Sequence, residues 1–291
     1  MDFDHLSRIK ALVSLKTDKK SANILEGSYK SMFIGRSMEF EDLHEYMPGD
    51  NVKDIDWKSS SRVGKVLVRR YVSERRHNIL IIADSGAKMD ADTLSGDDKA
   101  QVACDAAGTV AYLAGGLGND FALLQSTPKG MFFSGFKSGN LHFEQVMTAL
   151  ERNIRQEPRE GLRECVEYAA EKLRRRMVVF IVTDIDGIAS IDDRLMKEIG
   201  VLCDAMIIDI DDAYLIGGDS FDKEAGRYEP RFSLIDKKLA TAERNERSRI
   251  LAEADRLCDR YGAGRTRITG HAEVIDRTVE LLGKDNHAVL C

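Results

Sequence analysis

Asn78-Ile79-Leu80-Ile81-Ile82-Ala83-Asp84 is an unbroken apolar run closed by an acid. A strand with one wet face alternates apolar and polar residues. A continuous run instead fits a strand covered on both faces, as in parallel sheets. Residues 177–183 repeat the pattern and again end on an acid, Asp184. Between these runs the period becomes helical: Val102, Ala106, Val110 and Leu113 recur over 99–113, and Gly115-Gly116 closes the stretch. Further strands are expected at 120–124, 131–133, 205–210 and 265–269, and helices at about 140–152, 160–175, 191–200, 236–261 and 272–282. Strands alternating with helices indicate βαβ units, hence a doubly wound, mostly parallel, Rossmann-like α/β sheet with helices on both faces. The regular pattern starts at residue 77, so the chain divides into an N-terminal unit, 1–76, and an α/β domain, 77–291.

The N-terminal unit reads differently. Residues 3–20 resemble a short basic helix, and 27–76 hold short β-rich pieces such as Lys65-Val66-Leu67-Val68-Arg69 between turn signals such as Pro48-Gly49-Asp50. Charge changes sharply here. Residues 37–50 carry five acids and no Lys or Arg, while 51–80 carry eight bases and three acids. A basic tract is one mark of nucleic-acid binding. The acidic tract directly before it, in a chain of net charge −6, makes pairing within the protein or with a protein partner the simpler expectation.

Composition narrows the class. A hydrophobic fraction of 43% and a charged fraction of 32% describe an ordinary globular protein. The opening Met1-Asp2-Phe3-Asp4-His5 is polar and acidic, unlike a signal peptide. The longest apolar run, 177–182, is far short of the ~20 residues of a membrane helix. Five cysteines, at 104, 165, 203, 258 and 291, form no C-x-x-C pair and are odd in number, as expected of reduced core thiols in the cytoplasm.

Familiar catalytic motifs are missing. There is no G-x-x-x-x-G-K-[ST] phosphate loop and no H-E-x-x-H zinc motif, and Gly262-Ala263-Gly264 lies after a helix rather than before one. Ser85 follows a strand, but Ala83-Asp84-Ser85-Gly86-Ala87 lacks the glycine two residues before the serine that a nucleophile elbow needs. What remains is the pair of strand-end acids, Asp84 and Asp184. In open parallel sheets ligands bind beyond the carboxyl ends of strands, so two carboxylates there suit a hard-cation site. Acids at such ends also simply cap the next helix.

One segment is more specific. Glu39-Phe40-Glu41-Asp42-Leu43-His44-Glu45-Tyr46-Met47-Pro48-Gly49-Asp50-Asn51-Val52-Lys53-Asp54-Ile55-Asp56-Trp57-Lys58 resembles the E-F-x-x-x-R-x-Y-x-x-G-D-x-x-R-x-I-D-W signature of a bacterial family known as domain of unknown function fifty-eight. Arg69, Tyr71 and Glu74 extend the match, and the resemblance spans about residues 20–283. It departs at His44, where the family usually has Arg, and at Lys53. The signature's own residues admit a structural role. Phe40, Tyr46, Ile55 and Trp57 are expected to form a small core that docks the front unit, Gly49 to turn the chain, and Asp50 and Asp56 to pair with Arg69 or Arg70.

The resemblance implies a von Willebrand factor A-like domain and a partnership with MoxR-type AAA+ ATPases, with no established reaction. Such domains often hold Mg²⁺ through D-x-S-x-S, a later Thr and a later Asp. Here the first motif reads Asp84-Ser85-Gly86-Ala87-Lys88 and the Thr position is Leu162, so Gly86, Lys88 and Leu162 stand where oxygen ligands would be. A degenerate metal-ion-dependent adhesion site, without metal or other cofactor, is expected. Two carboxylates about 4 Å apart repel by roughly 4 kcal/mol at an effective dielectric near 20. Lys88 either places its ammonium at the metal position or is an exposed lysine on a first helical turn. The functional expectation is a non-catalytic adaptor for a MoxR-type ATPase, with Asp84, Ser85, Lys88, Asp184 and Asp186 at its partner surface. The alternative is a Mg²⁺-dependent module completed by a partner carboxylate. A hydrolase would need a nucleophile and base that the sequence does not display.

Overall fold

The computed structural model describes residues 4–16, 39–47, 50, 52–72, 77–214, 221–222, 227–228 and 237–284. The run that opens the α/β pattern becomes strand β3 (Asn78–Ala83), the first and central strand of a six-stranded sheet. The elements before it are helix α1 (Asp4–Lys16), strand β1 (Glu39–Glu45), helix α2 (Trp57–Val63) and strand β2 (Leu67–Val72). After it come α3 (Lys99–Gly116), β4 (Asp120–Thr127), β5 (Gly130–Phe133), α4 (Asn140–Asn153), α5 (Leu162–Tyr168), β6 (Met177–Thr183), α6 (Ile185–Ala189), α7 (Asp193–Gly200) and β7 (Cys203–Ile210). A short hairpin, β8 (Phe221–Asp222) and β9 (Arg227–Tyr228), precedes α8 (Lys237–Tyr261), β10 (Gly264–Ile268) and α9 (Val274–Lys284).

The large sheet runs β10-β7-β6-β3-β4-β5, parallel throughout except for the antiparallel edge strand β5. Counted along the chain this is the order 3-2-1-4-5-6, which reverses winding between β3 and β6. Side chains alternate across the sheet as a period of two requires. Ile79, Ile81 and Ala83 face a core shared with α1, α3, α4 and α9, while Leu80 and Ile82 face a second core with α5, α6, α7 and α8. Helix α3 is built from small residues, Ala100, Ala103, Ala106, Ala107, Ala111 and Ala114, and is buried along most of its length. The doubly wound α/β architecture is thus the one the apolar runs specify.

Two readings of the sequence change in the fold. The helix expected at 191–200 runs over Asp193–Gly200, and a short helix not expected from the sequence, Ile185–Ala189, precedes it; Asp184 and Asp192 each cap one, accepting from Gly187 N and Leu195 N at 2.9 Å. The first helix, assigned by the boundary at 76 to the front unit, packs on the α/β domain instead. Ile9 is fully buried, a Cβ added at Gly108 would come within 2.9 Å of its Cδ1, and Arg8 reaches the buried Asp105 at 2.5 Å. An apolar face on α1 matched to a glycine of α3 explains this docking. The remaining front unit is a two-stranded antiparallel ribbon, β1 with β2, carrying α2 between them. Among the described residues, no helix is long and apolar enough to cross a membrane.

Candidate functional site

The two strand-end acids meet where the sheet reverses its winding. Hydrogen bonding between Asp84 N and Val182 O at 2.9 Å holds the end of β3 against β6, and Asp184 follows β6 directly. Both acids are almost completely buried. Lys88 lies between them, with Nζ at 2.6 Å from Asp84 Oδ2 and 3.5 Å from Asp184 Oδ1. Of the two placements open to Lys88 in the sequence, the structure takes the first.

A second lysine was not visible in advance. Lys99, the first residue of α3, has a side chain only 1% exposed. Its ammonium donates to Asp184 Oδ2 at 2.8 Å, to the Lys88 carbonyl at 2.8 Å, and to Asp212 Oδ1. Asp212 follows β7 and is brought here by the loop 89–98, which crosses the carboxyl edge of the sheet. Leu94 N–H donates to Asp211 O at 3.1 Å, Ser95 N–H to Thr269 O at 3.0 Å, and Thr93 bridges to Asp212. Asp211 in turn is paired with Arg247 of α8 and with Arg267 of β10. Thr183 completes the cluster, donating through Oγ1 to Asp84 Oδ2 at 2.6 Å.

Each oxygen of the central pair is therefore engaged. Asp84 Oδ1 accepts from Ser85 N at 2.9 Å and its Oδ2 takes Lys88 and Thr183. Asp184 Oδ1 accepts from Gly187 N at 2.9 Å, and its Oδ2 takes Lys99. The pKa directions follow. Burial drives Asp84 above the ordinary carboxylate range, outweighing Lys88, and Asp184 adds to the rise. Burial also acts on Asp184, but the Lys99 and Lys88 ammonium groups outweigh it and hold that carboxyl low. Burial pushes Asp212 up to about 6 despite Lys99. Lys88 is lowered by burial and raised by Asp84 and Asp184, with a net rise.

The remaining positions named from the sequence separate. Leu162 is core, packed with Leu80 and Ile82, and brings no oxygen to the site. Gly86 has φ 113° and sits against Pro158. Asp186 is exposed on α6, near enough to contribute to the raised Lys88 pKa. Ser85 is buried, and its hydroxyl donates to Ser126 O at 3.0 Å. A Mg²⁺ ion needs short oxygen contacts in near-octahedral array. Gly86, Lys88 and Leu162 offer none, and two ammonium groups take the carboxylate lone pairs, so this residue set does not fit the metal. Among the described residues no group of three or more His, Cys, Asp or Glu is arranged to hold one.

Asp212 carried a signal that went unread: β7, like β3 and β6, ends on acids, Asp211-Asp212. Lys99 carried another. A cation at the first position of a helix opposes the macrodipole, so such a lysine calls for nearby carboxylates.

The signature segment lies elsewhere, in the front unit. Asp56 caps α2 through Ser59 N at 3.0 Å and pairs with Arg69 Nε at 3.1 Å, as expected. Asp50 accepts from Met47 N at 2.8 Å and contacts His44 Nε2 at 3.0 Å, so its side-chain partner in the signature is His44. The acidic and basic tracts meet in the β1–β2 ribbon, where Lys65 pairs with Glu45 at 2.9 Å. Among the described residues the expected aromatic core is not formed. Trp57 is 67% exposed and Tyr46 37%, while Ile55 is half-buried. A two-stranded ribbon has too little area to enclose a Trp placed at the first position of its helix. Glu39 pairs through its backbone with Val72, and Phe40 with Tyr71; the Phe40 ring, Gly49 and Glu74 lie outside the described residues.

Comparison with known proteins agrees with the sequence motif. An uncharacterized protein of Mycobacterium bovis is 26% identical over 179 residues, covering 60% of this chain and 56% of that protein. An uncharacterized protein of Mycobacterium tuberculosis aligns with the same 26% identity and coverage. This chain therefore spans about half (56%) of the length of the curated relatives it matches. Similar solved structures include a von Willebrand factor type A protein from Catenulispora acidiphila, with 12% identity, coverage of 76% of this chain and 45% of that chain, and a TM-score of 0.39. Another is the conserved hypothetical protein BatB from Bacteroides thetaiotaomicron, with 9% identity, coverage of 72% and 98%, and a TM-score of 0.43. Residues 42–212, more than half of the chain and including most of the signature, match the family described as protein of unknown function DUF58, and the chain belongs to that family.

Proposed function

We propose that the chain is a non-catalytic protein-binding module that engages its partner at the carboxyl edge of the sheet without a metal ion. The observation that carries this reading is the pairing of Asp84, Asp184 and Asp212 with Lys88 and Lys99. A metal-dependent binding domain recruits a partner carboxylate through its cation. Here the cations are covalently part of the chain, and the partly exposed Lys88 and the exposed Asp186 are what a partner would meet. Two further observations support a binding role over catalysis. The Ser85 hydroxyl is committed to a backbone carbonyl, with no base in the pairing. Burial pushes the Cys104 and Cys165 thiols up to about 12 and those of Cys203 and Cys258 up to about 11, which keeps these four, the cysteines among the described residues, as thiols at neutral pH.

The partner we propose is a MoxR-type AAA+ ATPase, a choice supported by the family resemblance of the signature. The test is affinity purification of the tagged chain from its native cells, with and without chelator, read by mass spectrometry. Equal recovery of such an ATPase in both is expected. Recovery only without chelator would transfer the reading to a Mg²⁺-dependent module, and recovery of no ATPase would remove the proposed partner.

A further inference from the structure

Trp57 closes the family signature and yet stands outside the protein, 67% exposed. We propose that the face it occupies, formed among residues 46–47 and 52–66 of the front unit, is a docking surface for an acidic segment of a partner protein whose apolar side chain packs on Trp57. The surface is separate from the carboxylate–lysine cluster and does not depend on the function proposed there.

Three observations converge on this stretch. First, Tyr46, Met47, Val52, Trp57, Val63 and Val66 are all exposed, while the other exposed large apolar side chains among the described residues are scattered over 94–239. Backbone bonds place Tyr46 beside Val66 and bring the residue before Trp57 against the residue after Val66. Tyr46 N–H donates to Val66 O at 2.8 Å and Asp56 N–H to Leu67 O at 2.9 Å. Clustered apolar exposure of this kind marks an interaction site, and Trp is the residue type most typical of interface hot spots.

Second, the tryptophan is presented on a braced frame. Asp56 holds Ser59 N and Arg69 Nε with its two oxygens. Ser60 Oγ donates to Asp56 O at 2.7 Å and accepts from Leu67 N at 2.8 Å. Gly64, at φ 74°, ends the helix with its N–H on Ser60 O at 2.9 Å. A backbone held this way loses little further freedom on binding.

Third, residues 57–66 contain Lys58, Arg62 and Lys65 and no acid, and over 52–66 four bases stand against two acids, Asp54 and Asp56. All three bases are exposed, Lys65 on the side paired with Glu45. The complementary partner surface is an apolar group bordered by carboxylates. Four of the six apolar side chains are Val or Met rather than aromatic, which favours a protein over stacked bases.

The chain has one tryptophan, so its tryptophan emission, excited at a wavelength the eight tyrosines do not absorb, reports this face alone. With the full-length protein, iodide is expected to quench that emission about twofold or more better than caesium, because the surroundings are basic. A blue-shifted band resistant to both ions would mean the ring is covered by the chain itself and would overturn the proposal. A random peptide library is then selected on the wild type and counter-selected on Trp57→Ala. Enriched peptides are expected to place Asp or Glu around an aromatic or aliphatic residue. Binding of a synthesised winner should weaken about tenfold or more in Trp57→Ala and in Lys58→Glu/Arg62→Glu, with an unchanged thermal midpoint. Failure to enrich Trp57-dependent peptides would refute the assignment. So would Trp57-dependent binding to phosphatidylglycerol vesicles or single-stranded DNA in place of peptide, or self-association that Trp57→Ala abolishes.

Discussion

The two ends of this molecule handle charge and apolar surface in opposite ways. At the carboxyl edge of the large sheet, charge is buried and apolar surface is covered: Asp84, Asp184 and Lys99 are nearly inaccessible, and Leu162 fills core. In the front unit the pairs Lys65–Glu45 and Arg69–Asp56 lie near the surface and Trp57 is outside. The difference teaches that an ion pair's role depends on its depth. A buried pair is costly to break, since removing one member strands the other in low dielectric, whereas an exposed pair contributes little. Breaking the cluster is therefore expected to cost far more stability than breaking the exposed pairs of the front unit.

The strongest way to break the contrast is Lys99→Met. It strips the buried Asp184 and the partly buried Asp212 of the ammonium they share, with Lys88 as the cluster's remaining ammonium. A loss of about 3–5 kcal/mol in urea unfolding is expected at pH 8. The loss should shrink at pH 5, where Asp212 can take up a proton. A loss near zero at both pH values would show that the cluster is solvated.

A pH series sharpens the same side. Asp212 binds its proton more tightly folded, at about 6, than unfolded. Its contribution is thus complete below about pH 4 and falls away as pH rises to about 6, by at most roughly 3 kcal/mol. Asp84, also raised, acts in the same sense. Asp184, held low, contributes in the opposite sense: its stabilisation is present above about pH 4 and lost below it. The difference in unfolding free energy between wild type and Asp212→Asn should therefore change between pH 4 and 6. A constant difference would place Asp212 in solvent.

Smaller effects are expected in the front unit. Asp56→Ala removes the cap of α2 and the partner of Arg69, so hydrogen exchange at Ser59 and Ser60 should speed up while the α/β domain is unaffected. Slower global refolding or a lowered main transition would mean the two units are one cooperative block. Trp57→Ala should change global stability least, within about 0.5 kcal/mol. A loss of several kcal/mol would return Trp57 to the core role that its place in the signature suggested.

Much of this was legible in the residues. The runs ending at Asp84 and Asp184 declared strands buried on both faces, and their terminal acids pointed to the candidate site. The substitutions Gly86, Lys88 and Leu162 announced a set of donors unsuited to Mg²⁺. The exposure of Trp57 was not legible, because an aromatic in a long motif looks the same whether it fills a core or faces solvent. Enclosure depends on how much surface the neighbouring elements can supply, and that is not a local property. The docking of α1 was hidden for the same reason: only the packed fold sets Ile9 against Gly108.

The sequence by itself determined the alternation of buried strands and helices, hence the doubly wound sheet and the position of its reversal, because period and apolar continuity are local and survive without a partner. Only the tertiary structure decided which charges share a site. Lys99 and Asp212 are 113 residues apart, and the winding order of the sheet with the loop 89–98 brings them together. Pairing of buried charges is set by distances of a few ångströms across the fold, and sequence spacing does not encode those distances.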